Sequence, residues 1–246
     1  MGPDRILQTL QDCADAVGAV YGEFQGRGFS GARDTQYHLD VAADAAALAV
    51  LLGASWRVIS EESGDSGGTD DDTIVVVDPI DGSTNCDRGI PFFTTSLAVI
   101  EKGELVAALV RNHADGQTYT AIRGGGAYRN DVRITPSAQK TVRGALVSFS
   151  GHPERHVGWG QIRALGAASL EGCYVADGRL DLYTVAQRSS LSTWDYLAAC
   201  LIAREAGAVV LNYGSDELVA WDRRPRSPLF AATPELAQEF LALGPL

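Results

Sequence analysis

The chain contains no Cys-x-x-Cys pair. Its four cysteines, Cys13, Cys86, Cys173 and Cys200, stand at wide and irregular intervals. Structural zinc and thioredoxin-like dithiol chemistry therefore have no support. Free thiols fit a reducing compartment. Basic runs are missing too. Nothing longer than Arg223-Arg224 occurs, and the net charge is -11 over 246 residues. Polymeric nucleic acid wants clustered lysine and arginine, so such a partner is not expected. No apolar run approaches the roughly 18 residues of a membrane helix, so no membrane span is expected. The start, MGPDRILQTLQDCADAVGAV, lacks the basic opening and apolar stretch of a signal peptide. A cytoplasmic protein is expected, and a small anion could still bind where metals or helix N-termini supply the positive field.

What is present is an ordinary globular composition, with 46% hydrophobic and 21% charged residues. Ile6, Leu7, Leu10, Ala14 and Val17 recur at helical steps, predicting a helix over 4–24. A glycine-rich connection fills 22–34. An alanine-rich helix follows over 41–52, with Gly53 placed for its C-terminal cap. WRVIS at 56–60 reads as a strand, and residues 63–72 as a polar loop. TIVVVD, PFFTTSLAVI, GELVAALVRN and QTYTAIRGG read as strands joined by tight connections, with GGGAYRNDVRI continuing the meander. In the second half, GALVSFS (144–150), GRLDLYTV and AVVLNY read as strands. Helices are expected around 158–172, from Asp195 to Gly207, and over 233–243. The expected fold is α+β over residues 1–143. An α/β unit over 144–246 contributes Asp195. The two pack into one layered body.

Residues 78–85 read DPIDGSTN. Asp78 ends a buried strand and Pro79 fixes the backbone. Asp81 then returns toward the same point, with the Ile80 carbonyl between the two acids. Oxygen donors at that density suit Mg²⁺ or Mn²⁺. Without a cation the two carboxylates repel and raise each other's pKa. Gly82 permits a close backbone approach. A turn beginning at Gly82-Ser83 would point N–H groups at an incoming anion. If WRVIS lies beside TIVVVD, Glu61 and Glu62 join the cluster. Asp195 and Asp40 each stand at a helix start, where a simple cap would also explain them. A strand followed by an Asp-Gly turn would likewise explain DPIDG on its own.

The combination resembles the inositol monophosphatase family of metal-dependent, lithium-sensitive phosphomonoesterases. The matching stretches are ISEES at 59–63, DPIDGSTN, GIPFF at 89–93, RGGGAYRND at 123–131 and WDYLAACLIAREAGA at 194–208, with weaker matches at HLD (38–40) and 164–181. The resemblance implies an αβαβα layered sandwich and a homodimer. It implies two or three Mg²⁺ per site, with Mn²⁺ as a substitute. Glu61, Asp78, the Ile80 carbonyl, Asp81 and Asp195 are then the metal ligands. Glu61, Ser83 and Asp40 are the catalytic residues around the attacking water, and the Gly82 and Ser83 amides hold phosphate oxygens. The implied reaction is direct in-line hydrolysis of a small phosphorylated metabolite. Inositol monophosphate or a related polyol or sugar phosphate is the expected substrate.

Three departures bear on the leaving group. Many members carry a lysine a few residues before the position of Asp40, whereas ARDTQYHLD has Arg33 and no lysine. Val185 stands where a glutamate usually contacts inositol. Gly166-Ala167-Ala168 replaces a sequence with a hydroxyl. Substrate contacts are therefore expected from Asp81, Gly166, Ala167, Ala168 and Arg188, the last as a candidate for a second anion. Alternatives open at this point are histidinol phosphate, a nucleoside or nucleotide phosphate, a specialised-pathway phosphate, or a non-catalytic dimeric binding module.

Overall fold

Two helices lead the chain, α1 (Pro3–Glu23) and α2 (His38–Gly53). A computed structural model describes residues 2–23, 28–31, 36–67, 73–213, 217–244 and 246. Arg33 lies outside them. On α1, Ile6, Leu10, Cys13, Ala14 and Val17 form the buried stripe that their spacing predicts. The second helix starts earlier than expected, and Gly53 is its last residue rather than its cap.

The first sheet comprises β1 (Arg57–Ser60), β2 (Gly64–Ser66), β3 (Thr73–Asp81), β4 (Thr94–Glu101), β5 (Glu104–Asn112), β6 (Thr118–Ile122), β7 (Gly126–Arg129) and β8 (Val132–Arg133). Their order is β2-β1-β3-β4-β5-β6-β7-β8. From β3 onward it is the expected antiparallel meander, while β1 runs parallel to β3. The short α3 (Ser83–Arg88) follows β3. Part of the expected 63–72 loop is strand, because Gly64–Ser66 turns back and pairs with β1. Residues 68–72 lie outside the described residues.

The second half contains β9 (Leu146–Ser150), β10 (Gln161–Arg163), α4 (Ala168–Ala176), β11 (Leu182–Val185), α5 (Thr193–Ala206), β12 (Val209–Asn212), β13 (Pro228–Ala231) and α6 (Pro234–Ala242). The sheet order is β10-β9-β11-β13-β12, with β9 parallel to both neighbours and β13 antiparallel to its own. The helix expected over 158–172 is not there. Gly158, Gly160 and Gly166 break that stretch, residues 161–163 extend as β10, and the helix begins only at Ala168. The strand β13 was not expected. It is four residues long and opens on a proline, a weak signal that a first strand position tolerates.

Alternation along the first sheet divides two cores. Val75, Val77, Leu97 and Val99 face α1 and α2, while Ile74, Val76, Ala98 and Ile100 face α4 and α5. Tyr183 and Phe230 of the second sheet close this middle core, and Val147, Phe149 and Leu182 pack outward with α6 residues. Helices and sheets thus alternate as α/β/α/β/α. The parallel β1–β3 pair and the start of α5 point their ends at one place in the middle layer.

Candidate active site

A β-bulge brings Asp78 and Asp81 together. In a regular strand, residues three apart face opposite sides. Here Asp78 pairs with Ser96 but Asp81 pairs with Thr94, so three steps on β3 match two on β4. The extra residue returns Asp81 to the Asp78 side of the sheet. Pro79 has no N–H to lose within such a bulge. Its carbonyl accepts from Thr95 Oγ1 at 2.8 Å, which in turn bonds His113 Nε2 at 2.7 Å. These groups fix the bulge from behind.

Three further acids converge on it. Ser60 of β1 pairs with Val77, and the Glu61 amide bonds the Val77 carbonyl at 3.2 Å, placing Glu61 beside Asp78. Asp195 is the third residue of α5. One of its oxygens accepts the Ser192 amide at 2.7 Å, closing the helix start. Asp40 does the same on α2, accepting the Tyr37 amide at 2.8 Å. Each of these two acids is therefore a capping group as well as a member of the cluster.

Electrostatics bind the set together. Burial pushes Asp78 well above the ordinary carboxylate range, reinforced by Glu61, Asp81 and Asp195. Burial also raises Asp195, with Asp81 and Glu61 adding to it and the Ser192 amide opposing. Glu61 is pushed up to about 7 by burial, although a hydrogen bond to Asp78 pulls the other way. Burial carries Asp40 to about 7. Burial takes Asp81 only to about 6, because the Ser169 hydroxyl and amide and the Ala168 amide bond its charged form.

Among the described residues, no three of these side chains stand at metal-coordinating spacing. Glu61 presses on Asp78 instead, helping to hold it well above the ordinary carboxylate range. Yet one oxygen of Asp78 and one of Asp40 are buried without a hydrogen-bond partner. Leaving a charged acceptor in that state costs on the order of 1–3 kcal/mol or more. An all-oxygen, partly orphaned, mutually repelling donor set fits a hard divalent cation such as Mg²⁺ or Mn²⁺.

The rest of DPIDGSTN locks the corner. Asn85 Nδ2 donates to the carbonyls of Phe92 at 2.8 Å and Leu165 at 2.7 Å, tying α3 to the loop before α4. Gly82 has φ +86°. A Cβ there would stand 3.0 Å from the Gly166 carbonyl and 3.1 Å from both Ala167 Cβ and the Phe92 carbonyl. Two of the three contacts are with backbone carbonyls and the conformation is left-handed, so Gly82→Ala should cost about 1–3 kcal/mol. That corresponds to a fall in the thermal midpoint of roughly 3–10 °C in differential scanning calorimetry. A midpoint within a degree of the parent would show that the turn relaxes freely.

The other expected residues distribute unevenly. Ala168 sits behind Asp81 as a backbone donor, and Gly166 and Ala167 pack under Gly82. Ser83 opens α3, with no hydrogen bond to Asp40 among the described residues. Arg188 is 88% exposed and ion-paired with Glu154. Val185 is buried in the middle core, so a glutamate there would enter apolar packing. Glu62 bonds Gln36. Sequence reasoning missed the hydroxyls Thr94 and Ser96 on β4. Thr94 Oγ1 bonds Ser169 Oγ at 2.8 Å, and Ser96 Oγ donates to the Trp194 carbonyl at 3.0 Å, steadying the residue before Asp195. Their signal was three consecutive hydroxyls, TTS, in an otherwise apolar strand.

Comparison with known proteins agrees with this geometry. The model of the inositol monophosphatase family matches residues 15–243. An inositol-1-monophosphatase of Rhizobium meliloti is 38% identical over 170 residues, 62% of this chain and 62% of that protein. The Nus factor SuhB of Pseudomonas aeruginosa is 35% identical over 76% of each chain. The crystal structure of the extragenic suppressor protein suhB from Bartonella henselae superposes with a TM-score of 0.83 at 27% identity, covering 98% of both chains. The chain belongs to the inositol monophosphatase family.

Proposed function

We propose that this family member is a divalent-metal-dependent phosphomonoesterase acting on a small phosphorylated metabolite. The observation that carries the reading is the bulge-built carboxylate cluster, with its orphaned Asp78 oxygen. A stable fold has no use for such a cluster, because mutual repulsion opposes burial. Relatives named as phosphatase and as Nus factor both match the chain. The intact set of Glu61, Asp78, Asp81 and Asp195 favours hydrolysis over a non-catalytic binding role.

Glu61, Asp78 and the Ile80 carbonyl would hold one cation, and Asp81 and Asp195, with Asp78 between, a second. When bound, Mg²⁺ supplies the positive charge that acidifies water and steadies the departing oxygen. The chain does the rest. The bare backbone at Gly82 and Ser83 lets phosphate oxygens come close. The Ser83 hydroxyl would relay the proton lost by the attacking water, taking it up while passing its own proton to the carboxylate of Glu61 or Asp40. Ala168 and Ser169 keep Asp81 ionised and aimed. In-line displacement then needs positioning and charge neutralisation rather than a covalent phosphoenzyme.

An inositol monophosphate or related polyol or sugar phosphate is the preferred substrate class within this reading. Histidinol phosphate and nucleotide monophosphates are the competing monoesters. The test is a phosphate-release screen of these esters with Mg²⁺. Release that requires Mg²⁺ and falls in millimolar Li⁺ is expected. No release from any ester would overturn the assignment, and indifference to Li⁺ would remove the lithium-sensitive subclass.

A further inference from the structure

We propose that Arg223 recognises a second anionic group, a carboxylate or a second phosphate, on the leaving group of the substrate. The inference rests on the phosphomonoesterase reading above. Residues 222–226 read DRRPR, and one acid serves two of the three arginines. Asp222 accepts from Arg224 Nε at 2.8 Å and from the buried Arg226 Nη1 at 2.9 Å. Arg223 turns the other way. Its guanidinium carbon lies 5.2 Å from the centre of the Trp194 ring, and its Nη2 lies 3.3 Å from where a Cβ on Gly64 would stand. Both neighbours stand next to site residues along the chain, Trp194 directly before Asp195 and Gly64 three residues after Glu61. The guanidinium therefore bridges the two chain segments that deliver the outer acids of the cluster.

This placement is built rather than incidental. Leu191 and Arg226 exchange two backbone hydrogen bonds, each 2.9 Å, and Thr193 Oγ1 donates to the Asp222 carbonyl at 3.3 Å. The segment carrying Arg223 is thus fastened to the start of α5. Among the described residues Arg223 has no carboxylate partner, in a chain whose net charge is -11. Stacking on Trp194 holds the guanidinium and leaves its N–H fork open to a planar or tetrahedral anion. A fork held on the segments that carry Glu61 and Asp195, and outside the ligand set, suits an anion carried by the part of the substrate that leaves.

The test measures kcat/KM for full-length protein with Mg²⁺ on two pairs of esters. Inositol 1-phosphate and glycerol 2-phosphate have neutral leaving groups. 2-Phosphoglycerate carries a carboxylate and fructose 1,6-bisphosphate a second phosphate. The ratio of anionic to neutral efficiency should fall roughly 10- to 100-fold in Arg223→Ala, mainly through KM. Arg223→Lys should recover only part of it, because a point charge replaces the fork. The pair that shows the larger fall names the anion. A ratio within twofold of the parent for both anionic esters overturns the proposal, as does a fall produced by Arg188→Ala instead. If the parent protein hydrolyses neutral esters while Arg223→Ala leaves the ratio unmoved, only this inference fails. If the parent hydrolyses no ester, the phosphomonoesterase reading fails and this inference goes with it.

Discussion

Replacing Asp78 by asparagine should lower phosphate release by roughly a thousandfold or more at every Mg²⁺ concentration. That corresponds to about 4 kcal/mol of lost transition-state stabilisation. Asp78 lies at the centre of the cluster, with Glu61, Asp81 and Asp195 all pressing on its charge. Asparagine keeps the shape but removes the anionic oxygen that would bridge two cations. Extra Mg²⁺ should not rescue it, because the defect is a missing ligand rather than a weakened one. The fold should survive, since the substitution removes repulsion from a buried site. Calorimetry of the metal-free variant should show a midpoint equal to or above the parent. Near-parental turnover in Asp78→Asn would mean that the cluster is not where hydrolysis occurs.

The second large effect is a reversal of pH dependence by metal. Burial pushes Asp40 and Glu61 up to about 7 and Asp81 to about 6 in the folded chain, against ordinary values of 3.8 to 4.5. Between about pH 4 and 7 the metal-free folded protein therefore holds protons that the unfolded chain has released. Its stability should decline as pH rises through that window. Divalent cations compete with those protons, so their benefit should grow in the same direction. At about 100 times its dissociation constant, bound Mg²⁺ would add about 2.7 kcal/mol. That is a rise of roughly 5–10 °C in thermal midpoint for a chain of this size. The rise should be seen at pH 8 and shrink toward zero at pH 5. An equal Mg²⁺ effect at both values would dissociate cation binding from these carboxylates.

DPIDGSTN, Glu61 and Asp195 were legible in the sequence because strand ends, helix starts and acid spacing have local signatures. Glu61 joins them only because β1 pairs in parallel with β3, with Ser60 opposite Val77. The bulge was not legible. Proline in the motif hinted at an irregularity, but only the pairing with Ser96 and Thr94 shows that one residue is extra. The supporting hydroxyls were hidden for a similar reason. Ser169 and Thr94 lie 75 residues apart, and no local pattern links them. Glycines at 158, 160 and 166 were present in the sequence, yet apolar residues around them suggested a helix that the backbone refuses. The residues that would read the leaving group were the least visible. Arg188 follows Val185 in the connection that lacks the family's glutamate, whereas Arg223 reaches Trp194 only through the fold.

The central claim is that the carboxylate corner holds the divalent cations that drive phosphate-ester hydrolysis. The most direct measurement is phosphate release recorded against Mn²⁺ bound per chain, with bound metal counted by electron paramagnetic resonance in the same samples. Release should be absent from chelator-treated protein, rise with bound metal, and return when metal is restored. Asp78→Asn should lose both binding and release. Undiminished release from metal-free protein, or full Mn²⁺ binding and turnover in Asp78→Asn, would contradict the account.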